Sequence, residues 1–429
     1  MTTPTTLADR LRDLAEDAPS HLDGAPLWDA GRRHDRQRRV RALAAVAAVV
    51  VAVLGVGATV AWPGRDASPE PAAAAFSDLH LPRMIHAPDG WTEGTDEAGP
   101  PGVLAAVSMS TRIERDGLLG SRRSSSVFGV SAVDGSTRFL DLRGASADML
   151  GNGTVVLSPD GTKVGYVRYR GEEVVGWAVY DTVTGSTRFL DDPEQAVIRG
   201  TDAFEIIFSG DSRYLLTNYS PSGSDRAKDD ELVVWDVETG EATSAESQGH
   251  YWLPSPGSGP SGVVWSRGQR VLRFDPESGE SSSERLPHDV VHASYGPSGE
   301  LAYVAWGERS RDPWRLVAGG RDVDVGFEPR TVIGWRDAGH VVVGNLRGRV
   351  AVVDVETGEA RADRLRTDTQ TMTPVYATDL WANDLVPGTR PPPADDPRRT
   401  TVVAGVASAT VLVLAGASIL WRRRRVPPA

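Results

Sequence analysis

His288 and His292 stand four residues apart, a spacing that on a helix would bring two imidazoles to one metal ion. Here they flank Val290 and Val291 in a strand-like stretch, so their side chains are not expected to converge. Asp322 and Asp324 would share one face of a strand and could help to hold Ca²⁺, but the sequence offers no third ligand nearby. Asp134, Asp181, Asp236, Asp275 and Asp354 could be taken for catalytic carboxylates. Each sits just ahead of a Gly in a turn pattern, which predicts a structural cap instead. No Gly-x-Ser-x-Gly elbow, P-loop, His-Glu-x-x-His or EF-hand loop occurs. Cys is 0, which excludes disulfides, thiolate zinc sites, a cysteine nucleophile and a lipid anchor on cysteine. No catalytic, cofactor-binding or metal-ligating residue is therefore assigned, no cofactor is implied, and a non-enzymatic chain is expected.

The 429 residues are 40% hydrophobic and 24% charged, and Gly 45 with Pro 29 favours a turn-rich β fold. Residues 42–62 and 400–421 are uncharged apolar runs, long enough as helices to cross about 30 Å of hydrocarbon. Arg32, Arg33, Arg36, Arg38, Arg39 and Arg41 precede the first run, and Arg422 to Arg425 follow the second. Such cationic flanks stay cytoplasmic, so a bacterial cell-membrane protein is expected with both termini inside and residues 63–399 outside. Cleavage after the Ala72–Ala75 cluster is the alternative for the first run. Residues 1–41 hold eight Arg against seven acids and the tail four Arg, which leaves −17 of the net −12 in the exterior segment. That acidity argues against nucleic acid as a partner.

The exterior segment repeats itself. Gly135-Ser136-Thr137-Arg138-Phe139-Leu140-Asp141 recurs as Gly185-Ser186-Thr187-Arg188-Phe189-Leu190-Asp191. An apolar strand followed by Asp-x-x-Thr/Ser-Gly occurs at Asp181, Asp236, Asp275 and Asp354, with a shortened copy at Asp134. Upstream, Ser158-Pro159-Asp160-Gly161 opens another strand, echoed at Ser209-Gly210-Asp211 and Pro297-Ser298-Gly299. Four strands per unit of about 44 residues, stacked radially, make a β-propeller.

These segments resemble the TolB-type and WD-like propeller repeats of bacterial envelope proteins, over about residues 100–385. The whole arrangement resembles actinobacterial membrane-anchored propeller proteins with a short Arg-rich cytoplasmic head. Some proteins with similar heads are anti-sigma factors or their relatives, but a zinc-binding anti-sigma domain needs cysteines that this chain lacks.

The predicted organisation is a head at 1–41, a transmembrane helix at 42–62, a linker at 63–75 and a propeller at 76–387. A Pro-rich linker at 388–399, a second span at 400–421 and a basic tail at 422–429 follow. The fold class is all-β, with units ending near 141, 191, 246, 285, 325 and 365. Seven blades are expected, one built from both chain ends; six is the alternative. Trp177, Trp235, Trp265, Trp306 and Trp335 fall in strand patterns and should fill blade interfaces, whereas Trp91, Trp252, Trp314 and Trp381 lie in loops or ends. Arg112–Ser126 and Ser220–Asp230 read as polar, mobile loops.

In the head, Thr6 could cap a helix from Leu7 to about Ala18 whose Leu7, Leu11 and Leu14 form one apolar stripe. The stripe offers a contact for a cytoplasmic regulator such as a sigma factor. The expected function is extracytoplasmic recognition of a protein or glycan, with relay through that head. An envelope scaffold and a glycan-active enzyme are the alternatives, the last requiring a cluster of carboxylates at one channel mouth.

Overall fold

The computed structural model describes residues 78–116, 120–146, 153–171, 173–191, 206–219, 231–245, 262–307, 312–345, 348–368 and 373–396, together with Glu16 and Gly416. The two apolar runs (Gly416 apart), the Leu7/Leu11/Leu14 stripe, the first linker, Trp252 and Ser220–Asp230 lie outside the described residues. Among the described residues no helix is long and apolar enough to cross a membrane.

All strands fall within the unit Ser68–Asp396. Six antiparallel sheets follow one another along the chain. Blade 2 is Val155–Leu157, Lys163–Arg170, Glu173–Asp181 and Thr187–Leu190. Blade 3 is Ile207–Phe208, Tyr214–Tyr219, Glu231–Asp236 and Ala242–Ala245. Blade 4 shows three strands among the described residues, Val263–Arg267, Arg270–Asp275 and Glu280–Arg285. Blade 5 is Val290–Tyr295, Leu301–Ala305, Arg315–Ala318 and Arg321–Val323, and blade 6 is Thr331–Asp337, His340–Gly344, Arg349–Asp354 and Ala360–Arg364. Blade 1 joins both ends of the unit: Val375–Tyr376 is its inner strand, ahead of Leu104–Asp116, Gly120–Ser131 and Thr137–Phe139.

The ring is held between blades rather than within them. Each pleated sheet has two apolar faces, so each must be covered by a neighbour. Trp177 of blade 2 packs with Trp235, Phe208 and Leu215 of blade 3. Blade 3 shares a second cluster with Trp265 and Phe274 of blade 4. Val264 and Val271 of blade 4 meet Val290 and Tyr303 of blade 5, and Trp335 of blade 6 meets Val304 and Leu316 of blade 5. The last cluster joins blade 6 to blades 1 and 2 and closes the circle.

Six blades replace the seven expected. The C-terminal piece is long enough for one strand, which pairs Val375 with Val107 and Tyr376 with Ala106 and so supplies the inner strand that blade 1 otherwise lacks. The N-terminal piece forms a strap. Met84 and Ile85 run parallel to Arg366 and Thr367, and Pro82 lies opposite Val386. Arg83 Nη1 bonds both Asp363 oxygens at 3.0 Å, adding an ion pair to the ladder. The two ends of the propeller thus lie side by side.

The repeated turns have one geometry. The second-strand turn of blade 2 places Gly161 at φ 74, where a Cβ would strike the Leu104 carbonyl oxygen. Only Gly lets blades 1 and 2 approach so closely there, and the Gly161 carbonyl accepts from Leu104 N at 2.9 Å.

The described parts of Arg112–Ser126, residues 112–116 and 120–126, are not a loop. They belong to a hairpin of 13- and 12-residue strands, paired from Leu104/Ser131 out to Asp116/Gly120. Its corresponding strands in the other blades run 4 to 9 residues.

Candidate functional site

The turn aspartates are caps. Asp181 Oδ1 accepts from Val183 N at 2.9 Å and Thr184 N at 2.7 Å. Asp236 does the same with Glu238 N and Thr239 N, and Asp354 with Glu356 N and Thr357 N. Gly185, Gly240 and Gly358 then carry φ of 75, 81 and 77. Backbone N–H donors from Thr357 hold the Asp354 carboxyl below the usual range, and Glu277 N does so for Asp275. A carboxylate held in this way is committed to the backbone, not to a substrate.

The two histidines do not converge. His288 Nδ1 lies 2.8 Å from Arg315 Nη2, a cation that would oppose a metal. His292 sits on the inner strand of blade 5, where desolvation pushes its imidazole down to about 4 and Thr331 Oγ1 lies 3.5 Å away. Asp322 pairs with Arg315 Nη1 at 3.1 Å, and Asp324 Oδ1 accepts from Gly326 N at 2.8 Å.

One carboxyl group behaves differently. Asp379 follows the inner strand of blade 1, in a short 3-10 turn over Thr378–Ala382. Its N–H donates to the Pro159 carbonyl at 3.0 Å, beside the Asp160 turn of blade 2. Burial first, and the Asp160 charge second, push its carboxyl up to about 6. Asp160 itself is committed to its own turn: it accepts from Ser158 Oγ at 2.6 Å, Thr162 N at 2.9 Å and Thr162 Oγ1 at 2.8 Å. This is a turn brace facing a buried acid rather than an acid–base couple across a cleft.

The aromatic residues divide by burial. Trp177, Trp235, Trp265 and Trp335 fill blade interfaces as expected. Trp381 is buried in the cluster that closes the ring, although its position in the sequence reads as a chain end. Trp306 departs from expectation: it is 47% exposed. The second strand of blade 5 stops at Ala305, and Trp306 N donates to the Asp289 carbonyl at 2.9 Å, which carries the ring past the packed sheet. Trp314 immediately precedes the next strand and meets Trp306 edge-on, with centroids 4.6 Å apart. On Trp314 lies the Arg330 guanidinium at 3.8 Å, itself held by Glu328 at 3.1 Å. Glu328 Oε1 also accepts from Trp314 N at 3.3 Å. An exposed indole is thereby supported by a second indole, a guanidinium and a carboxylate. Sequence reasoning had no signal for Glu328 or Arg330, which lie in the connection between blades 5 and 6.

The fold and this patch define a six-bladed β-propeller with an aromatic–cationic surface on blade 5. Solved structures similar to the chain include TolB from Acinetobacter baumannii, 14% identical with a TM-score of 0.37, covering 66% of this chain and 69% of that one. They also include dipeptidyl peptidase 4 from Porphyromonas gingivalis, 12% identical at 0.36, over 62% and 46% of the two chains. The β-propeller domain of Cps50 (Swd1) from Myceliophteria thermophila is 14% identical at 0.29, over 41% and 58%. The resemblance read from the repeats thus meets TolB and a β-propeller domain among solved structures. At these identities and scores the likenesses say nothing of activity, and the propeller assignment rests on the sheet order above. No protein-family model and no curated protein matches the chain.

Proposed function

We propose that this chain is a membrane-anchored recognition protein whose propeller binds an extracytoplasmic protein or glycan, using the blade 5 patch as a contact. A propeller fold is consistent with protein binding. The observation that carries the reading is Trp306, a large indole left 47% exposed on a supported platform. Such rings supply most of the binding energy at many interfaces and also stack on sugars. The Arg-flanked apolar runs at 42–62 and 400–421 support anchoring, and the Leu7/Leu11/Leu14 stripe supports relay to a cytoplasmic regulator such as a sigma factor. A scaffold without relay would use the same surface. A glycan-active enzyme would need two uncommitted carboxyl groups across a cleft, and Asp160 is committed to Ser158 and Thr162.

Two experiments test this. Reporter fusions at residue 230 are expected to read as exterior and at both termini as cytoplasmic; an interior residue 230 overturns the topology. Trp306→Ala, in full-length protein, is expected to lower the melting temperature by only a few degrees, since about half of the ring is already exposed. Capture of extracytoplasmic proteins and glycans by that variant should fall at least about tenfold. Undiminished capture would remove the patch from the binding surface.

A further inference from the structure

Among the described residues the hairpin of blade 1 has an open edge. Its first strand, Leu104–Asp116, is flanked by Val375–Tyr376 only at Ala106 and Val107. Farther out, that side is covered by the segment around Gly90, whose carbonyl accepts from Ile113 N at 2.7 Å. Its second strand, Gly120–Ser131, is flanked by Thr137–Phe139 only at Phe128, Gly129 and Val130. Among the described residues no strand pairs the outer side of Ser121–Ser126.

The direction of the unpaired groups follows from the ladder. Ser131 N donates to Ser136, and Val127 O accepts from Leu140 N, so the odd-numbered residues face outward. Pairing with the first strand stays regular from Ala106/Val130 to Asp116/Gly120, so Ser121, Arg123 and Ser125 continue that series. Their N–H and C=O groups extend the line of the fourth strand by about 15–20 Å. The fourth strand stops because Asp141 turns back into the base of the hairpin. There it pairs with Arg112, takes a hydrogen bond from Asp96 N at 2.7 Å and donates its own N–H to Thr95 Oγ1 at 2.9 Å. The Arg112 guanidinium also sits over the Phe139 ring at 5.5 Å. The edge is therefore held in place at its root.

We propose that this edge receives an extended acidic segment of another protein, which adds as an antiparallel strand beyond Val127. An open edge of this kind is satisfied by main-chain pairing, and side-chain charge selects the guest. Gly120–Ser126 carries Arg122 and Arg123 and no acid; Glu114 of the first strand lies opposite Arg122, whereas Arg123 lies opposite Ile113, so Arg123 is the cation that selects an acidic guest. A second copy of the chain is disfavoured, because symmetric pairing about Arg123 would set Arg against Arg. This surface is independent of the blade 5 patch.

The test is selection of random hexapeptides displayed on phage against full-length protein in detergent micelles, in parallel with Ser125→Pro. The proline removes one outward N–H and leaves the inner ladder intact. The expected result is at least about tenfold enrichment, on the unaltered protein over the variant, of peptides alternating β-branched residues with Asp or Glu. A selected peptide resynthesised with alternate N-methyl groups should lose binding, a readout that does not depend on the variant's folding. Arg123→Glu should shift selection towards Lys and Arg. No enrichment, equal enrichment on both proteins, or indifference to N-methylation overturns the proposal. So does concentration-dependent self-association abolished by Ser125→Pro, which would assign the edge to a second copy.

Discussion

Trp235→Ala is expected to cost about 3–5 kcal/mol of folding stability, the range for deleting a large buried aromatic side chain. Trp235 is 2% exposed, in the cluster between blades 2 and 3, with its ring 6.0 Å from that of Trp177. Nothing near it can collapse into the hole, because both neighbouring sheets are fixed by their own ladders. Its Nε1 donates to Thr217 Oγ1 at 2.9 Å, and Thr217 is fully buried. Trp235→Phe keeps most of the packing but leaves that hydroxyl with only the longer Val233 carbonyl contact, 3.3 Å, and should cost about 1–3 kcal/mol. Adding Thr217→Val to Trp235→Phe should recover part of that loss, because the polar group left behind is then gone. Chemical denaturation followed by circular dichroism measures these variants together with the Thr217→Val single. If the double variant were as unstable as the sum of the singles, the hydrogen bond would have no energetic role.

Asp379→Asn should stabilise the propeller at neutral pH, by about 2 kcal/mol once solvent at the half-buried side chain is allowed for. Burial and the Asp160 charge raise the folded-state pKa to about 6, above the roughly 3.9 of an unfolded Asp. Between those values the folded protein holds more protons than the unfolded chain. Stability from this group is thus full below about pH 4, falls as pH rises to about 6, and is flat above. The Asn variant removes that slope, so the two proteins should converge below pH 4, part between pH 4 and 6, and keep a fixed difference above. Asp275 and Asp354 run the other way. Their carboxyls are lowered by backbone donors, so they stabilise above about pH 4 and lose that contribution as pH falls through their folded values. Melting temperatures of both proteins across pH 3.5–7.5 provide the measurement. A constant difference between them would show that Asp379 does not titrate in this window.

The hairpin and Trp306 show where sequence patterns fail. In the described parts of Arg112–Ser126 the residues are half-buried at the root and exposed towards the tip, with no wholly apolar face, so no alternation of apolar and polar residues marks the ribbon as strand. Its order comes from register with a partner strand and from Arg112 meeting Asp141, 29 residues away. Trp306 continues an apolar strand pattern, and only the end of pairing at Ala305 puts it outside.

What the residues determined by themselves is local. Asp followed by Gly in αL makes the hairpin, because a carboxylate can cap two N–H groups and Gly alone tolerates the positive φ without strain. The repeat of that turn after an apolar strand marked the unit, and outer strands end at Phe139, Leu190, Ala245, Arg285, Val323 and Arg364. What tertiary structure decided is how the ends meet. Whether Val375–Tyr376 starts a seventh blade or completes blade 1 depends on the free energy of closing the ring, which no local pattern records. That closure seats Asp379 against the Asp160 turn, 219 residues distant in the chain. Among the described residues Gly120–Ser126 is left as an edge, because the fourth strand of blade 1 ends where Asp141 turns inward.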